Sequence, residues 1–341
     1  FTFNFILILR EQVLSISEGM KVFKFGRASV NSIERIQKLA DIVKRYEDGP
    51  LVIIISAIGK TTNGLEKIVE AFYEGRKEEA LSLFEVVKQY HINLSKYLLV
   101  TRFNECLTQL SGFFTEAEWL LHDKPVREFD YYYDQVVCTG ELLSTCIISH
   151  YLNETGIPNE WLDVRDLIKT DNNFRNAEVE WEETTEKIRG AILRDEMTDD
   201  RGQRIDDREQ RAEGKFSVNP VQRANIFVTQ GFIGCTDENE STTLGREGSD
   251  YTAALFANIL NAESLSIWKD VEGVMSADPK QFPDAQLISE LSYTEVIEMA
   301  YYGVQVIHPK TIKPIQNKQI PLYVKCFLDP SLPGTIIHQK N

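Results

Sequence analysis

The segment LVIIIS at residues 51–56 is the stretch that decides the fold. It is a run of aliphatic, mostly β-branched residues without polar alternation, which is typical of a strand covered on both faces. Residues 21–25 form an earlier strand pattern, and residues 31–46 between the two strands space their apolar side chains as a helix does. The order strand, helix, strand predicts a parallel sheet with helices on both sides.

The same alternation continues along the chain. Residues 78–122 keep helical spacing throughout, which predicts an inserted layer of two or three helices, and another helical stretch follows at 141–151. Later strand patterns fall at residues 161–164, 226–230, 265–268 and 322–327, with helical patterns at 249–260 and 293–302. The sequence therefore predicts an α/β protein from residue 20 onward.

Two stretches fall outside this pattern. Residues 1–19 begin with nine nearly all apolar residues, too few to span a bilayer, so we expect an upstream extension, with a packed helix or strand as the alternative. Residues 194–215 contain 14 charged residues among 22, which predicts a solvated loop.

Composition excludes several classes of function. The 341 residues include 52 acidic and 37 basic side chains, and this net charge of −15 argues against a nucleic-acid partner. The sequence also predicts no membrane partner. The five cysteines are odd in number, scattered and without a CxxC pair, so their spacing predicts neither a disulfide framework nor a zinc site. A reducing, cytoplasmic location is the natural expectation.

Four loops rich in small or hydroxyl residues follow predicted strands. They cover residues 24–29, 56–63, 231–234 and 269–273. Ligands of open α/β sheets bind at the carboxyl ends of strands. None of the loops is a P-loop or a GxGxxG motif, so phosphate would be held by strand-end glycines, helix N-termini and single lysines.

The run TTLGREGSD at residues 242–250 leads directly into a helical pattern. It offers free backbone N–H groups, the positive end of a helix dipole and an arginine suited to a carboxylate. The alternative is a capped helix without a ligand, because Ser and Asp favour the first turn.

Eight motifs in order resemble the catalytic domain of the aspartate kinases, within the amino acid kinase family. They are KFGRASV (24–30), SAIGKTTN (56–63), TGELLST (139–145), DVRDLIKTD (163–171), TQGFIG (229–234), TTLGREGSDYTAA (242–254), IWKDVEGVMSADPK (267–280) and VIHPKTIKP (306–314). The resemblance covers residues 20–337.

The resemblance implies a three-layer αβα sandwich around a central, mostly parallel eight-stranded sheet with two lobes. Residues 20–225 would form an N-terminal lobe that binds aspartate and contains the charged loop, and residues 226–341 a C-terminal lobe that binds ATP. Most relatives continue into paired ACT domains where this sequence ends, so we expect no ACT domains in the given chain. Two cases stay open: an enzyme without inhibition through that route, and an isolated catalytic fragment. A homodimer of catalytic domains stays open.

The implied reaction transfers the γ-phosphoryl group of ATP to the side-chain carboxylate of L-aspartate, giving β-aspartyl phosphate and ADP, with Mg²⁺ carried by the nucleotide. This is the entry step to lysine, threonine and methionine synthesis. Two alternatives remain: a catalytically degraded nucleotide-binding or scaffold protein of the same fold, and another amino acid kinase, such as acetylglutamate or uridylate kinase.

The resemblance assigns catalysis to Lys24, which would span the phosphates, and to Asp250, which would orient that lysine. From the residues alone, a solvated strand lysine and a helix-capping aspartate remain alternatives. For the amino acid, Arg246 would bind the α-carboxylate and Glu141 the α-ammonium, with hydrogen bonds from Thr62 and Ser249. Glu141 lies in an apolar helical stretch, where an unpaired carboxylate is costly, so a ligand partner is favoured over a surface position.

For the nucleotide, the resemblance implies contacts from residues of both lobes. They are Lys24, Gly26, Lys269, Asp270, Met275 and Lys280. Met275 is the least specific of these, since a methionine there also suits a core.

The sequence departs from the family pattern at four positions. Arg27 and Ala28 replace a glycine and a threonine beside the phosphates, and Glu247 stands where a second glycine is common. Gln305 stands where many relatives carry a lysine that contacts ATP; Arg27, Lys269 or Lys310 could supply that charge.

Overall fold

The structure is a computed structural model that describes residues 19–193, 225–277, 281–304 and 307–340. The upstream extension predicted at 1–19, apart from Gly19, and the charged loop predicted at 194–215 lie outside the described residues.

The described part of the chain contains twelve β-strands. The strands are β1 (Lys21–Phe25), β2 (Leu51–Ile55), β3 (Glu160–Leu162), β4 (Ile226–Gln230), β5 (Ile233–Cys235), β6 (Ser241–Thr243), β7 (Ser264–Lys269), β8 (Val274–Met275), β9 (Leu287–Ile288), β10 (Glu290–Ser292), β11 (Leu322–Cys326) and β12 (Thr335–His338). Eight of these described strands form one sheet in the order β10-β12-β11-β7-β1-β2-β4-β3. Every pairing in it is parallel except that of β11 with β12, which confirms the mostly parallel eight-stranded sheet.

Ten α-helices flank the sheet within the same described ranges. They are α1 (Ile33–Lys44), α2 (Thr61–Tyr73), α3 (Lys77–Leu98), α4 (Phe103–His122), α5 (Phe129–Val137), α6 (Thr139–Glu154), α7 (Trp181–Ile192), α8 (Gly248–Ile259), α9 (Tyr293–Tyr301) and α10 (Pro309–Gln316).

Strand β2 shows why the chain folds in three layers. All five of its residues are buried. Ile53 and Ile55 pack into the apolar core on one face of the sheet, and Val52 and Ile54 pack into the core on the other. Because neighbouring side chains on a strand point to opposite faces, a continuous aliphatic run requires helices on both sides.

The helical layer predicted between residues 78 and 122 consists of α3 and α4. The break between them, at Val100–Arg102, is held by Glu154, whose carboxylate accepts hydrogen bonds from the backbone N–H groups of Val100 (2.7 Å) and Arg102 (3.0 Å). Helix α6 is almost wholly buried over its first eleven residues, so it forms the centre of this layer.

No helix among the described residues is long and apolar enough to cross a bilayer. The division of the chain into an aspartate lobe and an ATP lobe stays a prediction.

Candidate active site

A cavity of about 470 Å³ opens at the carboxyl ends of the central strands. β1, β2 and β4 are neighbours and run parallel, so the loops that follow them converge at one edge of the sheet. The lining includes all six residues predicted for catalysis and for amino acid binding: Lys24, Thr62, Glu141, Arg246, Ser249 and Asp250.

An ion pair joins the two predicted catalytic residues. Lys24 Nζ lies 2.6 Å from Asp250 Oδ1, and the side chains of both residues are buried. Lys24 projects from β1, and Asp250 occupies the first turn of α8, which packs on that strand. The solvated-lysine alternative is therefore wrong, since this ammonium is buried against a carboxylate.

Cations determine the charge state of Asp250. Burial alone would favour the neutral acid, but the ammonium groups of Lys24 and Lys269 hold the pKa of Asp250 below its usual value. Neither carboxylate oxygen accepts a well-aligned hydrogen bond from the described residues. Asp250 therefore stays ionised at neutral pH and holds the Lys24 ammonium by charge.

Glu141 lies in the first turn of α6 with only 3% of its surface exposed. Its Oε1 accepts a hydrogen bond from the backbone N–H of Ala57 at 3.3 Å, whereas its buried Oε2 has no hydrogen-bond partner among the described residues. Burial raises the pKa of Glu141 to about 8, although the Ala57 N–H and the charge of Arg27 oppose that shift. Without a ligand, this carboxyl group is mostly protonated at neutral pH.

Ser249 is fixed where two strand-end loops meet. The hydroxyl of Ser56, which follows β2, donates to Ser249 Oγ at 3.0 Å. A Cβ atom on Gly231 would lie 2.6 Å from the Cβ of Ser249 and 2.9 Å from Ile54 Cγ2, so only glycine permits this close approach. The glycine of the TQGFIG motif thus brings α8 against the sheet.

The rim of the cavity carries Arg246 and Glu247, both exposed. Glu247 has φ +54° and ψ +25°, the left-handed region that favours glycine. Its carbonyl oxygen accepts hydrogen bonds from the N–H groups of Asp250 (3.0 Å) and Tyr251 (3.1 Å), so this strained residue starts α8.

Sequence reasoning missed a second wall of the cavity, formed by Glu66, Tyr133 and Arg175. Tyr133 donates from its hydroxyl to Glu66 Oε1 at 2.8 Å, and the Arg175 guanidinium lies 4.4 Å from the centre of the Tyr133 ring. Tyr133 belongs to α5, a helix that no quoted motif covers.

Asp134, the next residue, is fully buried and holds this wall in place. Its Oδ2 accepts from the backbone N–H groups of Arg175 and Thr243, both at 2.8 Å, and its Oδ1 accepts from the Thr243 hydroxyl at 2.8 Å. Burial raises the pKa of Asp134 to about 6 despite these donors. A charged residue between aromatic residues 131–133 and Val136 was the sequence signal that could have revealed it.

Of the described residues predicted for the nucleotide, only Lys24 lines the cavity. Lys269 ends β7 beside β1, and Asp270 follows it. Gly26 follows β1, and Met275 pairs with Leu287 in the β8–β9 ribbon. Lys280 lies outside the described residues.

Among the departures from the family pattern, Arg27 is exposed and lines the cavity. Ala28 is half-buried. Lys310 points elsewhere: its Nζ donates to the carbonyl of Leu244 at 3.0 Å and lies over the Tyr251 ring. Gln305 lies outside the described residues.

The fold and the cavity define a class, and the chain belongs to the amino acid kinase family, whose model matches residues 19–326. Within that class, the chain is similar to aspartokinases. The chain is 31% identical to lysine-sensitive aspartokinase 3 of Escherichia coli K12 over 94% of its own length, and 32% identical to aspartokinase 1 of Arabidopsis thaliana over 93%. It spans 64% and 51% of those proteins, respectively.

Solved structures give the same result. The crystal structure of E. coli aspartokinase III in complex with aspartate and ADP matches with a TM-score of 0.77 and 28% identity, over 94% of this chain and 65% of that one. The same enzyme with lysine and aspartate matches with a TM-score of 0.76.

Proposed function

We propose that this chain is the catalytic part of an aspartate kinase, which transfers the γ-phosphoryl group of ATP to the side-chain carboxylate of L-aspartate. The observation that carries the proposal is the buried Lys24–Asp250 ion pair. The pair lines a cavity that is also lined by the four residues predicted to bind the amino acid. The solved relative with aspartate and ADP supports it, since its fold matches this chain over most of its length.

The chemistry requires positive charge, because a carboxylate and a phosphate are both anions. A carboxylate oxygen of aspartate forms a bond to the γ-phosphorus while the bond to the ADP oxygen breaks. Lys24 lies where charge would accumulate on the transferred group, and Asp250 holds that ammonium in place. A positioned cation of this kind acts through electrostatic stabilisation, with no proton transfer required.

Recognition of the amino acid rests on opposite charges at its α-carbon. Arg246 binds the α-carboxylate from the rim, and the orphaned Oε2 of Glu141 accepts from the α-ammonium. Thr62 and Ser249 supply the remaining hydrogen bonds. An extra methylene, as in glutamate, would push the reacting carboxylate past the position that Lys24 serves, so aspartate is the preferred acceptor.

The nucleotide binds on the other side of Lys24 from the amino acid. Lys24 and Lys269, which both act on Asp250, fit a polyphosphate, and Gly26, Asp270, Met275 and Lys280 complete the nucleotide contacts. Mg²⁺ arrives with the nucleotide and neutralises part of the phosphate charge when bound. A cytoplasmic location, a homodimer and a role at the entry to lysine, threonine and methionine synthesis are further predictions.

The test is a coupled assay of ADP release with L-aspartate, L-glutamate and uridylate as acceptors, with hydroxylamine present to trap an acyl phosphate. Of the three acceptors, we expect only L-aspartate to give ADP release and a hydroxamate. ADP release with only glutamate or uridylate would overturn the substrate assignment. Nucleotide binding without any turnover would instead favour the degraded binding protein.

Arg246→Gln provides a sharper test of the acceptor side. Loss of a charged hydrogen bond of about 1.5–3 kcal/mol corresponds to a rise in KM for aspartate of about 10- to 150-fold, with KM for ATP little changed. Arg76→Gln, a surface arginine paired with Glu74 and Glu79, is the matched control. Equal effects of the two substitutions would contradict the role of Arg246.

A further inference from the structure

Two cysteines and a histidine, side chains that can bind a metal ion, lie between helices α4 and α6 of the helical layer. Cys106 comes from α4, and Cys146 and His150 come from successive turns of α6. The two sulfur atoms and one ring nitrogen all lie within 4.8 Å of one another. Residues four apart on a helix share one face, so α6 presents both of its ligands to α4.

The ring of His150 is oriented for metal binding. Its Nε2 lies 3.1 Å from Gln109 Oε1, an oxygen that can only accept, so Nε2 carries the proton. Nδ1 then keeps a lone pair, and this buried atom has no hydrogen-bond partner among the described residues. A carbonyl that fixes the tautomer of a ligating histidine is a regular feature of metal sites.

The surroundings favour a neutral complex. Both thiols are fully buried in the apolar core. Two thiolates balance the charge of a divalent cation, so the bound site would add no net charge to this apolar core.

We propose that Cys106, Cys146 and His150 bind one zinc ion, with a water molecule as the fourth ligand. Two S–H bonds are broken, two Zn–S bonds and one Zn–N bond form, and two protons pass to solvent. Zinc prefers this mixture of thiolate and imidazole, and a tetrahedral site places its ligand atoms about 3.5–3.8 Å apart. The three atoms lie within 4.8 Å of one another, so a closure of at most about 1 Å is needed, which side-chain rotation on two facing helices supplies.

The spacing of the cysteines in the sequence does not indicate this zinc site. Cys106 and Cys146 are forty residues apart, and only the packing of α4 on α6 joins them. Zinc would fix α6 against α4, and α6 carries Glu141 one turn and a half before Cys146. The proposal does not depend on the kinase activity, because its test reads the metal directly.

The experiment titrates the full chain, fully reduced with a non-chelating phosphine, with Co²⁺ as a spectroscopic probe for Zn²⁺. We expect one equivalent to give sulfur-to-cobalt charge-transfer absorption and the intense visible bands of tetrahedral cobalt, both bleached by Zn²⁺. Cys106→Ser and Cys146→Ser should lose the charge-transfer intensity and weaken binding by more than about tenfold. Cys326→Ser, a buried cysteine outside the cluster, should bind as the unaltered chain does.

His150→Gln guards against misfolding of the cysteine variants, because it leaves both thiols in place at a half-exposed position. It should change the visible bands while keeping part of the charge transfer. Weak octahedral bands without sulfur absorption, or full absorption in Cys106→Ser, would overturn the proposal.

Discussion

The carboxyl group of Glu141 is protonated in the empty protein but must be ionised to pair with an ammonium group. Its pKa is about 8 because the side chain is buried. Binding of L-aspartate should therefore release a proton below pH 8, and the apparent Kd should rise about tenfold for each pH unit below that value. Calorimetry in buffers of different ionisation enthalpy measures the proton.

Glu141→Gln is the control for that prediction. Glutamine keeps the size and the Ala57 contact but cannot ionise, so this variant should bind aspartate weakly and without the pH dependence. A wild-type Kd that stays constant between pH 6 and pH 8 would show that Glu141 is not the partner of the α-ammonium.

In the proposed function, the Lys24–Asp250 ion pair contributes to both catalysis and stability. Removing one member of a buried pair leaves an uncompensated charge and typically costs about 3–5 kcal/mol. Lys24→Ala should lose both turnover and that much stability in urea unfolding. The double variant Lys24→Met, Asp250→Asn should regain most of the stability and none of the turnover. Additive losses in the double variant would contradict a direct pair.

At the scale of elements, Asp134 joins α5 to β6 and to the backbone at Arg175. Asp134→Asn can keep all three hydrogen bonds, because the Thr243 hydroxyl can reverse its role and accept. Asp134→Ala leaves two buried N–H groups without a partner, which should cost about 2 kcal/mol or more and raise KM for aspartate. Similar unfolding curves for the two variants would contradict this linking role.

The pH dependence of that linkage has a definite sign. The pKa of Asp134 rises from 3.8 to about 6 on folding. A raised pKa means that the folded state holds the proton more tightly, so its contribution is complete below pH 3.8 and is lost as the pH rises through 6. The wild type should therefore lose stability relative to Asp134→Asn across this window, measured by thermal unfolding at each pH.

The turn that starts α8 carries strain at Glu247. A non-glycine residue in the left-handed region costs about 1–2 kcal/mol of folding free energy. Glycine avoids that cost but destabilises the folded state by roughly 0.5–1 kcal/mol, because its unfolded chain is more flexible. Glu247→Gly should leave the protein equally stable or up to about 1 kcal/mol more stable, and Glu247→Val should destabilise it. Destabilisation by the glycine variant would show that the Glu247 side chain holds the turn.

At the scale of the molecule, the parts that sequence predicted are those in which local pattern and tertiary environment agree. Strand β2 was found because its aliphatic run has one structural solution, and the six cavity residues were found because they lie in recognisable motifs. Strands β5 and β6 have three residues each, too few to show a period. Helix α5 was missed because its consecutive tyrosines hide the helical spacing.

Some parts of the site could not be predicted because they depend on tertiary contacts. Asp134, Tyr133 and Arg175 meet through tertiary contacts between segments about forty residues apart, and no local pattern records those contacts. The burial of Lys24 could not be predicted from the local sequence either, because a solvated strand lysine and a buried, ion-paired lysine can have the same sequence neighbours.

The central claim is that one cavity holds L-aspartate with its side-chain carboxylate facing Lys24. A crystal structure with L-aspartate and a non-hydrolysable ATP analogue tests it most directly. We predict the α-carboxylate on Arg246, the α-ammonium on Glu141 and the γ-phosphate between Lys24 and the side-chain carboxylate. An amino acid bound outside this cavity, or one whose side-chain carboxylate points away from Lys24, would contradict the account.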